Sequence, residues 1–291
     1  MYSRNRTRDF LSRLAPYGLK SVHSNEAFRI PQNGRFLFLK VYGPKKPRIF
    51  YELRSRLDAI GMRQPIEYRV PPRRKDFEEA CLKHWREKGF SVPHLLASPF
   101  PEYEGVPHLC TTFIEGVTMK SILSQGYFSA EGRLEIFFED LFRRHALAFR
   151  TSDTLLFHID ANTQNILEAG NQFYHVDFEM GRPWERPMEC ACREITKLLI
   201  SMSQDLPSGE RNPLYRLFKK VYRNRDLLDF LDRSIHRRPF QNVHRWRNRR
   251  KKEEDPRRVT LYDLAEALQD TTEERPQTPP IKKESHDGCL P

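Results

Sequence analysis

Early in the chain the apolar residues sit in short dense runs, and in the second half they recur every three or four positions. The first pattern predicts strands and the second helices. Residues 8 to 14 read as a short helix. The runs AFRI and RFLFLKVY then flank PQNG, and Asn-Gly between two apolar runs predicts a hairpin. In RFLFLKVY both faces are apolar except where Lys40 interrupts one of them, which predicts a strand covered on both sides. Residues 43 to 75 are rich in Pro and Arg, with a possible helix in IFYELRSRLDAIG, and read as an insertion. DFEEACLKHWREKG predicts a helix stopped by Gly89. SVPHLLASPF reads as a turn and strand, and PHLCTTFIEG as a strand closing on Glu115-Gly116.

A long helix follows in EGRLEIFFEDLFRRHALAF. Leu134, Phe137, Phe138, Leu141, Phe142, His145 and Phe149 trace one stripe on it, read as core. LLFHIDANTQNILEAGNQFYHVDFEMG reads strand, loop, strand, Gly turn, strand, loop. Helices resume in MECACREITKLLISMS, LYRLFKKVY, DLLDFLDRSI and TLYDLAEAL. From about residue 271 the chain is polar and Pro-rich, which predicts disorder. A sheet-rich first part and a helix-rich second part predict an α+β, two-lobed architecture.

Composition narrows the classes. The 291 residues are 38% hydrophobic and 31% charged, with a formal net charge of +11. Such a surface attracts polyanions such as lipid head groups, phosphorylated sugars or nucleic acid. No stretch approaches the roughly 20 consecutive apolar residues of a membrane span, and the basic N-terminus lacks the pattern of a secretory signal. Five cysteines without a C-x-x-C pair argue against disulfide scaffolding and structural zinc. A cytoplasmic compartment is expected, and Cys190 and Cys192 are expected to be inert, buried or half-buried thiols.

The candidate chemistry lies between His158 and Glu179. Asp160 precedes Asn165 by five residues, and a short hairpin leads from there to Asp177-Phe178-Glu179. Phosphoryl transfer needs metal-bound phosphate oxygens and an oriented acceptor hydroxyl. Asp160 would accept the acceptor's proton or orient its hydroxyl. Asn165 and Asp177 would hold Mg²⁺, which prefers hard oxygen ligands. The LEAGNQF turn would set the two loops side by side. His158 reads as a structural loop residue and His175 as strand filler. Glu179 reads equally as a metal neighbour or a helix N-terminal acid.

H-x-D-x4-N followed by D-F-x resembles the signature of the protein-kinase-like superfamily. The resemblance covers roughly residues 28 to 203. It implies a small β-rich N-lobe over residues 1–110, carrying the 43–75 insertion, and a larger helical C-lobe over 111–270, followed by a tail, 271–291. It also implies that Lys40 contacts the ATP phosphates, that Glu78 pairs with Lys40 (Glu79 being a one-residue alternative), and that the segment ending at Glu115-Gly116 meets adenine through its backbone. The cofactors implied are ATP and Mg²⁺.

Departures from the superfamily pattern narrow the branch. No G-x-G-x-x-G precedes Lys40, and the hairpin offers only Gly34. Ile159 stands where eukaryotic protein kinases have arginine, Asn162 where their Ser/Thr members have lysine, and Glu179 replaces the glycine of D-F-G. LKVYGPKKPR, GFSVP and D-F-E are similar to segments of the lipopolysaccharide-core kinases, the Kdo and heptose kinases. That resemblance implies a sugar hydroxyl on an anionic glycolipid as acceptor, and a peripheral enzyme at the cytoplasmic face of the inner membrane. A Rio-like protein serine/threonine kinase and a non-catalytic pseudokinase are the alternatives. The arginine-dense segment 237–258 is either a solvated tail or, through Phe240 and Trp246, a surface anchor. Nucleic acid is the minor option there, and the oligomeric state stays open.

Overall fold

Two hairpins with the same turn chemistry frame the molecule. In the computed structural model, Asn33 and Gly34 have φ of 49° and 73°, and Gly170 and Asn171 have φ of 57° and 61°. Two consecutive residues in the left-handed region match the right-handed twist of the flanking strands, and Asn and Gly tolerate that region best. The structure describes residues 4–19, 25–43, 70–180, 186–236, 246, 249–250, 252–255 and 257–270.

Helix α1 (Arg4–Leu14) leads into β1 (Glu26–Gln32) and β2 (Arg35–Val41). Helix α2 (Pro71–Glu87) follows, then the two-residue β3 (Leu95–Leu96) and β4 (His108–Thr112). The four strands form an antiparallel sheet in the order β1-β2-β4-β3. One face of it carries Phe28, Ile30, Leu37, Leu39, Val41 and Cys110, which pack with Phe10 and Leu14 of α1. Lys40 lies on the other face by simple alternation, between Ala27 of β1 and Leu109 of β4. Coverage on both sides is reached only in the second half of β2. Phe36 remains 37% exposed at the start of the strand, under the guanidinium of Arg29.

Helix α2 begins five residues before the stretch that its apolar spacing marks. Val70 is extended and Pro71 and Pro72 open the helix, where a missing N–H costs nothing. Gly89 ends it at φ 79°, as expected. The predicted helix in IFYELRSRLDAIG and most of the 43–75 insertion lie outside the described residues, as does the tail from 271.

The second part is mainly helical. After β5 (Val117–Thr118) and the short α3 (Met119–Leu123) comes the 25-residue α4 (Tyr127–Thr151). The segment Thr154–Leu156 is a 3₁₀ turn rather than the expected strand. Strands β6 (Ile166–Ala169) and β7 (Gln172–His175) pair antiparallel, and β5 joins β6 to make a three-stranded sheet. Helices α5 (Pro187–Asp205), α6 (Arg211–Val221), α7 (Arg225–His236) and α8 (Leu261–Asp270) complete the described chain. The architecture is thus mixed, a small antiparallel sheet with its helix beside a larger helical part. Cys81, Leu82 and Trp85 of α2 belong to the same apolar core as Phe137, Phe138 and Leu141 of α4 and Ile195, Leu198 and Leu199 of α5.

The backbone linking the two parts is tightly seated. A Cβ on Gly116 would stand 2.3 Å from the carbonyl oxygen of Glu168 in β6, so only glycine fits there.

A polar centre sits inside this core. Arg144 of α4 and Glu194 of α5 are fully buried and ion-paired. The same carboxylate accepts the Nε2–H of His145 at 3.0 Å and the backbone N–H of His158 at 2.9 Å. Burial keeps the His145 ring neutral, and with its Nε2–H given to Glu194 its Nδ1 is left to accept the Tyr222 hydroxyl at 2.7 Å. Arg144 also donates to the Leu156 carbonyl and lies over the Trp85 ring at 4.3 Å.

Burial lowers the pKa of His145 and His175, and that of His158 to about 4, because each charged ring would lack solvation. These three histidines are neutral in the fold and free to take protons in the unfolded chain near pH 6.5. As pH falls from about 6.5 toward 4, the unfolded state therefore binds more protons and stability drops. Each histidine is expected to cost on the order of 1–2 kcal/mol between pH 7 and pH 5. Urea midpoints at the two pH values check this, and His175→Phe should remove one share of the difference. Equal midpoints would contradict it.

Candidate active site

Lys40 is drawn into the interior because β2 continues apolar on either side of it. There its Nζ meets three carboxylates, Glu78 Oε2 at 2.7 Å, Asp177 Oδ1 at 2.6 Å and Glu179 Oε1 at 2.8 Å. Glu78 comes from α2, one turn after Arg74, whose Nε donates to Glu179 Oε2 at 3.1 Å. Arg74 also donates to the Gly43 carbonyl at 3.0 Å and to Asn25 Oδ1. The Tyr42 hydroxyl donates to Glu78 Oε2 at 2.7 Å. Glu79, one residue on, points outward between Lys75 and Lys83. Of the two neighbouring acids, Glu78 is the one that meets Lys40.

The electrostatics follow from counting charges. Two cations face three carboxylates in a buried setting. Burial works to lower the Lys40 pKa, but Glu78, Asp177 and Glu179 overcome it and hold the ammonium well above its usual range. Burial pushes the Glu78 carboxyl up, since one ammonium is shared among three acids.

Asp177 is held in the left-handed region at φ 67°, an uncommon state for a residue with a Cβ. Two neighbours fix it there. Phe178 is buried, 4.8 Å from the Trp85 ring and 4.7 Å from His158. His158 Nε2 lies 3.4 Å from the Asp177 carbonyl. His158 is thus a loop-building residue, and His175 a buried core ring next to Trp85.

The β6–β7 hairpin brings the loops together as its turn predicts, with Val176 N–H donating to the Asn165 carbonyl at 3.0 Å. In the loop before β6, Asn162 and Asn165 both donate through Nδ2 to the Asp160 carbonyl at 3.1 Å. Asn162 Oδ1 accepts the N–H groups of Gln164 and Asn165 at 2.9 and 3.2 Å, closing an Asx turn. The Asp160 carboxylate pairs with Lys197 of α5. Glu115 stands apart and mostly exposed, paired with Arg29 at 3.1 Å.

Three carboxylates of the kind a hard divalent cation takes converge here, with the Lys40 ammonium between them. Glu78, Asp177 and Glu179 each offer an oxygen within 4.8 Å of the others. Asn165 commits its amide nitrogen to Asp160, and no donor among the described residues reaches its side-chain oxygen. Arg74, Tyr42 and Lys197 are site residues that the apolar pattern did not flag. The four-residue offset of Arg74 from Glu78 was the available signal for the first. Cys81, Cys110, Cys190 and Cys192 are buried and form no disulfide, and burial pushes the Cys110 thiol up to about 11 and the Cys192 thiol up to about 12.

No family model and no curated protein matches the chain. Among solved structures it is similar to WaaP in complex with acyl carrier protein, at 12% identity. That match covers 78% of this chain and 92% of the other, with a TM-score of 0.44.

Replacing Lys40 with Met would leave the carboxylates with Arg74 alone. The variant is expected to lose about 3–5 kcal/mol of stability, the usual cost of stripping a buried charge of its partner. Added Mg²⁺ should raise the melting temperature of Lys40→Met more than that of the wild type. A stability loss that Mg²⁺ leaves untouched would count against the carboxylates as a cation seat.

Proposed function

We propose that the chain is an ATP-dependent phosphotransferase of protein-kinase-like type, divided near residue 110 into a small N-lobe and a helical C-lobe. The carrying observation is the meeting of Lys40, Glu78 and Asp177, the outer two separated by 137 positions, beside the loop that bears Asp160 and Asn165. Lys40, oriented by Glu78, binds the donor phosphates. The backbone near Glu115 receives the adenine. Asn165 and Asp177 hold Mg²⁺, which when bound neutralises phosphate oxygens. Asp160 orients the acceptor hydroxyl and takes its proton.

The acceptor in this reading is a sugar hydroxyl of a lipopolysaccharide-type core glycan. Its support is the similarity of LKVYGPKKPR, GFSVP and D-F-E to the core kinases, together with a net charge of +11 that favours an anionic glycolipid. No helix among the described residues is long and apolar enough to cross a membrane. The reading puts the enzyme at the cytoplasmic face of the inner membrane, held by charge rather than by a span.

Mg-ATP turnover by the wild type should fall about 10²–10⁴-fold in Asp160→Asn, the usual contribution of a positioned acid–base group, and comparably in Asp177→Asn. Equal rates in all three proteins would end the catalytic reading. With radiolabelled ATP, purified lipid A–core glycan should take up label and a generic basic protein should not. The reverse outcome would move the assignment to a protein kinase.

A further inference from the structure

Helix α5 presents one continuous polar face to the loop that carries Asp160. Glu194, Lys197, Ser201 and Asp205 follow at offsets of three, four and four, so they stack along one side of the helix. Together they grip the loop at His158, Asp160 and, twice, Thr163. Glu194 accepts the His158 N–H at 2.9 Å, and Lys197 pairs with the Asp160 carboxylate. Ser201 Oγ accepts the Thr163 N–H at 3.1 Å, and Asp205 accepts the Thr163 hydroxyl. The adjoining side of α5 is anchored in the core through Ile195, Leu198, Leu199 and Met202.

Three of these contacts hold the loop's frame and only one holds the carboxylate. The Asp160 backbone carbonyl is fixed by the amides of Asn162 and Asn165, but neither reaches the side chain. Among the described residues Lys197 is the cation that meets the carboxylate. The Lys197 side chain is 42% exposed and that of Asp160 23%, so the pair reaches solvent.

We propose that Lys197 is the positioning residue of Asp160, holding one carboxylate oxygen so that the other faces the acceptor hydroxyl. The assignment rests on the phosphotransferase reading of Asp160. It adds that the acceptor side of the site is set by α5, whereas the donor side is set by β2 and α2. Charge and reach are both needed. A neutral side chain of similar length would leave the carboxylate free to rotate, and misplacement of a reacting group by about 1 Å can lower a rate about 10²-fold.

The test is steady-state Mg-ATP hydrolysis, with water as the acceptor, by the full chain. Lys197→Met should lower kcat about tenfold to a hundredfold while KM for ATP stays within about twofold, because the donor side is untouched. Lys197→Arg, which restores the charge, should recover most of the loss. In an Asp160→Asn background Lys197→Met should have no further effect, since the two act as one unit. Thermal midpoints of both Lys197 variants should match the wild type, and Lys197→Gln serves if Met does not fold. A wild-type kcat in Lys197→Met alongside an impaired Asp160→Asn would overturn the role of Lys197 and leave the phosphotransferase reading standing. Unimpaired turnover by Asp160→Asn would overturn both. A fall in Lys197→Met that Lys197→Arg does not repair, or that appears equally in KM, would reduce Lys197 to a packing residue.

Discussion

The contact on which the rest depends is the ion pair of Arg144 with Glu194. Both side chains are wholly buried, so the pair costs much of its Coulombic gain in lost hydration and is no strong source of net stability. Its worth is geometric. One carboxylate ties α4 to α5, orients His145, and holds the backbone of His158 at the entrance to the loop of Asp160. The guanidinium also lies over Trp85 of α2, so the helix that supplies Glu78 is tied to the same centre. An apolar pair of equal volume would fill the space but would fix none of these directions.

Much of the site could be read from the chain because its parts are local. A lysine in an apolar strand, an Asx-rich loop and a two-residue turn each declare themselves within a few positions. The turn at Gly170-Asn171 sets the spacing that puts Asn165 beside Val176, and nothing distant is required for it. The same holds for the hairpin at Asn33-Gly34 and for the stripe along α4, where Leu134, Phe137, Phe138 and Leu141 are buried as their period requires.

What stayed hidden depends on charges that meet across the fold. Arg74 sits in a run of basic residues that looks solvent-facing, and its burial rests on partners distant in sequence, Glu179 from the C-terminal part together with Asn25 and the Gly43 carbonyl. Arg144 lies next to Arg143 in sequence and only it shares the helical phase of buried Phe137, Leu141 and Ala148, but a charge at that phase is not read as core until Glu194 arrives from α5. The segment Thr154–Leu156 has the apolar residues of a strand but forms a 3₁₀ turn for a related reason. Its Leu155 carbonyl is claimed by the Trp85 indole N–H at 2.7 Å, a partner about 70 positions away. The identity of Glu78 over Glu79 was settled by helical phase, which a one-residue error at a helix start is enough to blur.

Gly116 gives the two halves their mechanics. The segment leaving β4 is not a loose linker, because its backbone rests on Glu168 and then pairs with β6 through Val117 and Thr118. The pivot between the small sheet and the helical part is therefore stitched to the hairpin that carries Asn165 and Asp177. The lysine strand and the acid-bearing loops are thus sewn along one seam, so a change of residue at that seam would be felt at both ends of the Lys40–Asp177 contact.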